Sequence, residues 1–212
     1  MQNNIEPKKG TTTVGIICDE GVVLAADKRA SMGYLIAHKN VKKIHQLIDD
    51  IAITIAGGVG DAQMLIRYVK AEAKLFEFKN QRKTSVKALS TLLSHILYSG
   101  KNQIYPYYVQ FLLGGKDKKG FSLSVLGPDG AKLEDAFIST GSGSVFAYGM
   151  LQEHYKKDMN LSEAIKLAVK SVNVAIERDM ATGDGIDVVI INNDGLKELS
   201  KTEIGNYLKT VI

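Results

Sequence analysis

The first ten residues, Met1 to Gly10, carry no apolar rhythm, contain Pro7, Lys8 and Lys9, and read as a leader ahead of the folded part. Periodicity begins after them. Thr11–Cys18 is rich in β-branched residues and predicts a strand; Asp19, Glu20 and Gly21 make a turn, and Val22–Asp27 predicts a second strand. Both strands carry apolar residues on both faces (Val14, Ile16, Ile17; Val22, Val23, Leu24), as strands covered on both sides do. A further strand, Ile51–Ala56, runs into Gly57 and Gly58. From Asp61 the spacing turns helical, with Ala62, Leu65, Ile66, Val69, Ala73 and Phe76 on one face, and again from Ser85, with Val86, Leu89, Leu93, Ile96 and Leu97. Strands return at Tyr107–Leu113 and Phe121–Leu126, and Gly127-Pro128-Asp129-Gly130 has the residues of a type I turn. A second helix pair follows. One helix spans Ser144–Tyr155. The other starts at Asn160, with Glu163 to close a capping box and Ile165, Ala168, Val172 and Ala175 on its apolar face. A strand, Ile186–Ile191, and a short terminal helix complete the chain.

This order, strands, two helices, strands, two helices, a last strand, is not the strict alternation of a doubly wound parallel sheet. Strands apolar on both faces together with two helix pairs predict an α+β protein of two stacked sheets covered by helices on each side. No internal repeat, linker or low-complexity segment divides it, so residues 11–212 read as one domain.

Composition narrows the class. Of 212 residues, 45% are hydrophobic and 24% charged, the balance of a soluble globular protein with a core that needs no staples. The single cysteine, Cys18, lies in an apolar stretch; it reads as a small buried hydrophobe, leaves no internal disulfide, and suits a reducing compartment. The net charge of +4 does not point to nucleic acid, because lysines and acids are interleaved and the densest cluster, Lys116, Lys118 and Lys119, reads as a hairpin tip. No apolar run approaches the ~18 residues of a membrane span, and the first residues lack the apolar centre of a secretory signal. A cytoplasmic protein is expected, with neither nucleic acid nor membrane as a partner.

Most familiar catalytic patterns are absent. His38, His45, His95 and His154 do not pair at zinc spacing, and there is no CxxC and no Walker motif. Gly141-Ser142-Gly143-Ser144 alone is a weak phosphate signal, and Gly183-Asp184-Gly185-Ile186-Asp187 lacks the oxygen ligands of a calcium loop. No metal or cofactor is implied. What remains is Gly10-Thr11-Thr12-Thr13-Val14-Gly15. A threonine hydroxyl needs a base beside it, and cutting Gly10–Thr11 would give Thr11 a free α-amine on its own carbon. That amine has a reference pKa of ~7.7–8.0, against ~10.4 for lysine, so it is the better base near neutral pH. Glycine before the threonine allows the tight geometry self-cleavage requires. Taken alone, the threonine run is better read as the ordinary start of a strand.

Five segments in order change that balance: Gly10–Gly15; Leu24-Ala25-Ala26-Asp27-Lys28-Arg29-Ala30; Ile36-Ala37-His38-Lys39-Asn40-Val41-Lys42-Lys43-Ile44; Ala56-Gly57-Gly58-Val59-Gly60-Asp61-Ala62; and Gly141-Ser142-Gly143 with Arg178–Asp187. Together they resemble a proteasome β subunit, of the single-type archaeal kind and in precursor form, within the N-terminal-nucleophile hydrolases. The resemblance implies the four-layer αββα sandwich of that superfamily, a propeptide over residues 1–10, and a threonine endopeptidase that is inactive until Gly10–Thr11 is cut. It matches Thr11 with the nucleophile, Asp27 and Lys43 with the acid and lysine beside it, the Gly57 N–H with the oxyanion donor, and Ser142 and Asp179 with the surroundings of the threonine amine. Thr182 stands where the family commonly has serine; it keeps the hydroxyl but adds a methyl that could displace Asp179.

The resemblance also places a first side-chain pocket at Ala30, Val41, His45, Ile55 and Val59, whose apolar walls favour cleavage after large apolar residues, with His45 able to admit acids. Ser31, Gly57 and Val59 match positions that pair with an extended substrate backbone. The implied partners are α subunits and other β subunits in stacked heptameric rings, unfolded polypeptide substrates, and a regulatory ATPase acting through the α ring. Alternatives are a catalytically silent β subunit of a mixed ring, the smaller bacterial ring peptidase, and a basic binding module. Exposed apolar contact surfaces would separate a subunit from a module.

Overall fold

A computed structural model of the chain describes residues 10–210. Apart from Gly10, the expected leader lies outside the described residues.

The first two strands, β1 (Thr13–Cys18) and β2 (Gly21–Asp27), form a hairpin. Every residue of β2 is buried because its two faces enter different cores. Val23 and Ala25 pack under helices, while Val22, Leu24 and Ala26 face a second sheet. Strand alternation assigns them this way, since successive side chains point to opposite faces. Strand β11 (Ile186–Asn192) flanks β2, and β10 (Phe137–Thr140) flanks β1; β12 (Gly195–Glu198) completes a five-stranded sheet in the order β10-β1-β2-β11-β12. Helices α3 (Ser144–His154), α4 (Leu161–Arg178) and α5 (Lys201–Lys209) cover its outer face.

The second sheet runs β5 (Ile44–Ile48), β6 (Ile51–Gly57), β7 (Val109–Asp117), β8 (Gly120–Leu126), β9 (Lys132–Glu134). Ile53, Ile55, Phe111 and Leu113 pack under α1 (Val59–Asn80) and α2 (Val86–Gly100). Ala52, Leu112 and Leu123 meet Leu24 and Val189 of the first sheet. Helices, sheet, sheet, helices: this is the expected αββα sandwich, and every strand pairing among the described residues is antiparallel.

The local signals hold in detail. Asn160 and Glu163 form the capping box of α4. Gly130 N–H donates to Gly127 O at 3.0 Å, closing the turn before β9. Lys118 and Lys119 sit in the turn between β7 and β8. Several expected bounds move by a residue or two, and β7 ends four residues later, at Asp117. The first strand starts at Thr13, because the N–H groups of Thr11 and Thr12 donate to the side chains of Ser142 and Asp27, and β7 starts at Val109, because Tyr108 O accepts from Gly58 N–H at 2.7 Å. The pattern gave no sign of the short hairpin β3 (Ala30–Met32) and β4 (Leu35–His38), nor of β5, β9, β10 and β12.

Candidate functional site

Thr11 lies at the entrance to β1, just before the ladder begins, and is buried. Its hydroxyl donates to the carbonyl oxygen of Gly10 at 2.6 Å, so the oxygen of the side chain rests against the peptide bond on its own amino side. Lys43 Nζ is 3.5 Å from the same carbonyl oxygen. Gly10 N–H donates to Ser31 Oγ at 2.8 Å, which fixes the bond from the other end.

Asp27 ends β2 and is fully buried. One carboxylate oxygen accepts from Lys43 Nζ at 2.7 Å and from Thr12 N–H at 2.9 Å; the other accepts from the backbone N–H groups of Gly183 at 2.9 Å and Arg29 at 3.1 Å. A buried carboxylate this well supplied with donors is held in one orientation. It thereby holds Lys43, which stands at the head of β5 and is 3% exposed. Burial pushes the Lys43 ammonium below its ordinary value, with Asp27 opposing that shift.

Ser142, in the turn between β10 and α3, accepts from Thr11 N–H at 3.3 Å and donates to Asp179 at 2.5 Å. Asp179 caps the C-terminal end of α4. It also accepts from Thr182 Oγ1 at 2.6 Å and Ala181 N–H at 3.1 Å. Because the Thr182 proton is committed to Asp179, Thr12 Oγ1 is the donor in its 2.8 Å contact with Thr182 Oγ1. The extra methyl of Thr182 therefore leaves the hydroxyl in place.

Gly57 closes β6 with φ +105°, and a Cβ there would strike Tyr108 O, so the bend next to Thr11 needs glycine. Beside it opens a cavity of about 300 Å³ lined by Thr11, Lys43, Gly57, Ala30, Ser31, Val41, Ile55 and Val59. His45 is not among the lining residues. It follows Ile44, which faces the inter-sheet core, and lies opposite Ile53, whose side chain packs under α1. Its Nε2 is sealed without a hydrogen-bond partner, and burial lowers its pKa. By strand alternation His45 shares a face with Lys43 and, through its partner Ile53, with Ile55, and it sits deeper than the residues that form the cavity wall.

Two residues of the site carried no assigned role in the sequence. Arg29 joins Asp184 at 2.7 Å and Met180 O at 2.8 Å, clamping the segment that bears Asp179 and Thr182 to the end of β2; it also holds the Asp184 carboxyl below the usual range. Thr12 links Asp27 to Thr182. Both stood inside segments quoted above, but only their long-range contacts distinguish them from a surface arginine and a strand threonine.

The arrangement offers a hydroxyl against an amide carbonyl, a buried amine with a lowered pKa, and a row of hydrogen bonds around the amide nitrogen. This is equipment for acyl transfer. The family described as proteasome subunit matches residues 7–191. A protein of Methanocorpusculum labreanum named proteasome subunit beta is 49% identical over 208 residues, covering 98% of this chain and 97% of that protein. Proteins of the same name from Archaeoglobus profundus (48% identical over 216 residues, 100% of this chain and 99% of that protein) and Methanosphaerula palustris (48% over 207 residues, 97% of each) are similarly close.

Proposed function

The chain belongs to the proteasome β-subunit family, and from that premise we propose that it is a threonine endopeptidase of the proteasome core which first removes its own residues 1–10. The observation that carries this is the 2.6 Å approach of Thr11 Oγ to the Gly10 carbonyl oxygen, with Lys43 Nζ at 3.5 Å from the same atom.

In self-cleavage Thr11 Oγ attacks the Gly10 carbonyl carbon and gives its proton to neutral Lys43, the amine that lies against the Gly10 carbonyl while Thr11 N is still an amide. The C–N bond then breaks, nitrogen takes up a proton, and Gly10 is left as an ester on Thr11 Oγ. Water hydrolyses the ester and releases residues 1–10. The processed chain, residues 11–212, then carries a free Thr11 amine as the base for substrate turnover, close to Ser142 and Asp179. Gly57 N–H is proposed as the oxyanion donor, a role worth ~2.7–4 kcal/mol in comparable sites.

The 300 Å³ cavity is proposed to take the side chain before the cut. Ala30, Val41, Ile55 and Val59 give it apolar walls, which favours large apolar residues; Ser31, Gly57 and Val59 would guide the substrate backbone. Exposed Met32, Tyr34, Leu35 and Ile36 on the β3–β4 hairpin favour a subunit that buries apolar surface in an assembly over a free-standing binding module. The assembly proposed is stacked heptameric rings with α subunits, acting on unfolded polypeptides in the cytoplasm, with a regulatory ATPase reached through the α ring. No helix among the described residues is long and apolar enough to cross a membrane.

The test is intact mass spectrometry of the chain assembled with α subunits, beside Thr11→Ala. Loss of residues 1–10 in the native chain alone is the expected result, together with peptide hydrolysis by the native particle only. Full-length chain persisting in complete particles would instead identify a silent structural subunit.

A further inference from the structure

Gly10 is gripped on three sides. Its carbonyl oxygen accepts from Thr11 Oγ at 2.6 Å, with Lys43 Nζ at 3.5 Å. Its N–H donates to the hydroxyl of Ser31 at 2.8 Å. Its Cα faces the segment after α4, where a Cβ would run into the side chain and carbonyl of Ala181. The first contact belongs to the chemistry of the cut. The second comes from a separate element, the short hairpin of β3 and β4, and the Ser31 hydroxyl takes no proton in the reaction.

The hairpin presents that hydroxyl through an irregularity. Ala30 pairs with His38 but Ser31 pairs with Ile36, so the register shifts between Ala30 and Ser31 and Ala37 is left as the extra residue. A bulge turns the side chains beside it, and here the side chain beside it is that of Ser31, aimed at the Gly10 amide.

The contact with Ala181 limits this grip to the leader. A substrate residue that fills the 300 Å³ cavity carries a Cβ, and in the pose of Gly10 that Cβ would overlap Ala181. Such a residue has to turn its backbone, which takes its N–H off the line to Ser31 Oγ. Glycine alone satisfies both contacts.

Resting on the peptidase reading above, we propose that Ser31, through its hydroxyl, is a positioning residue for self-cleavage: by accepting from Gly10 N–H it holds the Gly10 carbonyl against Thr11 Oγ and Lys43, and it does so for the leader rather than for a separate peptide. With the amide tied to the hairpin, the carbonyl is kept from rotating off the attacking oxygen. Small misplacements of reacting atoms cost up to about 10² in rate, so one well-placed acceptor on the far side of Gly10 is felt at the bond that breaks. Ser31 thus has two separable parts. Its backbone would guide substrate, and its side chain serves once, before the leader is lost.

The test follows residues 1–10 by timed intact mass spectrometry in the full-length chain assembled with α subunits, as native, Ser31→Ala and Ser31→Thr. Ser31 lies outside the core, so both variants should assemble. Ser31→Ala should process about tenfold more slowly, the equivalent of one lost hydrogen bond, and Ser31→Thr, which keeps the acceptor, should stay within about twofold of the native rate. The pH at which processing accelerates should not move in Ser31→Ala, because Ser31 places the bond without exchanging a proton. Once processing is complete, peptide turnover per mature Thr11 should fall by less than processing did. Native-rate processing in Ser31→Ala, or a threonine variant as slow as the alanine one, would overturn the proposal. So would equal falls in processing and turnover, which would make the hydroxyl a general part of the substrate site. A native chain that keeps residues 1–10 would overturn the peptidase reading, and this proposal with it.

Discussion

At the residue scale the site depends on Lys43. Removing its charge from water disfavours the ammonium, and Asp27 only partly offsets this. A lysine with a lowered pKa gives up its proton at lower pH, so the neutral form able to accept the Thr11 Oγ proton grows as pH rises. Self-removal of residues 1–10 should therefore accelerate with pH and level off below 10.5, the ordinary lysine value. Lys43→Arg keeps the charge but cannot deprotonate; it should abolish the rising limb and slow processing by about 10²–10⁴-fold. Timed mass spectrometry across a pH series checks both, and an unchanged limb in the arginine variant would remove Lys43 from the proton path. The same shift has a stability consequence. Between the lowered value and 10.5 the unfolded chain binds more protons than the folded one, so the contribution of Lys43 to stability improves as pH rises through that window.

At the element scale, α4 does two things. Its N-terminus is closed by reciprocal bonds between Asn160 and Glu163, and its C-terminus delivers Asp179 to Ser142 and Thr182. These ends are some eighteen residues apart, so they can be tested separately. Asn160→Ala should cost about 0.5–2 kcal/mol, seen as a melting temperature lower by about 2–4 °C per kcal/mol, while processing at low temperature continues at its native rate. A loss of processing in step with stability would mean that the N-terminal turn holds the site as well. Four of the strands that escaped the sequence reading share a reason. The hairpin β3–β4 is short, and all of β4 is exposed, so no buried face imposes a period on Leu35–His38. β9 and β12 likewise have three or four residues with little burial.

At the scale of the whole molecule the site is divided between two sheets. Thr11 and Asp27 belong to the first; Lys43 and Gly57 come from the head of β5 and the end of β6 in the second. What fixes one half against the other is the inter-sheet core of Val22, Leu24, Ile44, Leu112 and Leu123. Leu112→Ala, at a fully buried position, should cost about 2–5 kcal/mol. It should also slow processing under conditions where the chain remains folded, unlike Asn160→Ala, because the two halves lose register; equal processing in both variants would show that the inter-sheet core supports only stability. Resemblance to a family picked out the Thr11, Asp27 and Lys43 segments, and the sequence by itself determined the order of the long elements, the burial of both faces of β1 and β2, and the capping of α4. All of these are local patterns of side-chain type, and burial writes its period directly onto such patterns. Only the tertiary structure decided that Lys43 reaches Asp27 and the Gly10 carbonyl, and that Arg29 and Thr12 bind the Asp179 segment to the end of β2. Those facts depend on which strand neighbours which, and that leaves no period in the chain.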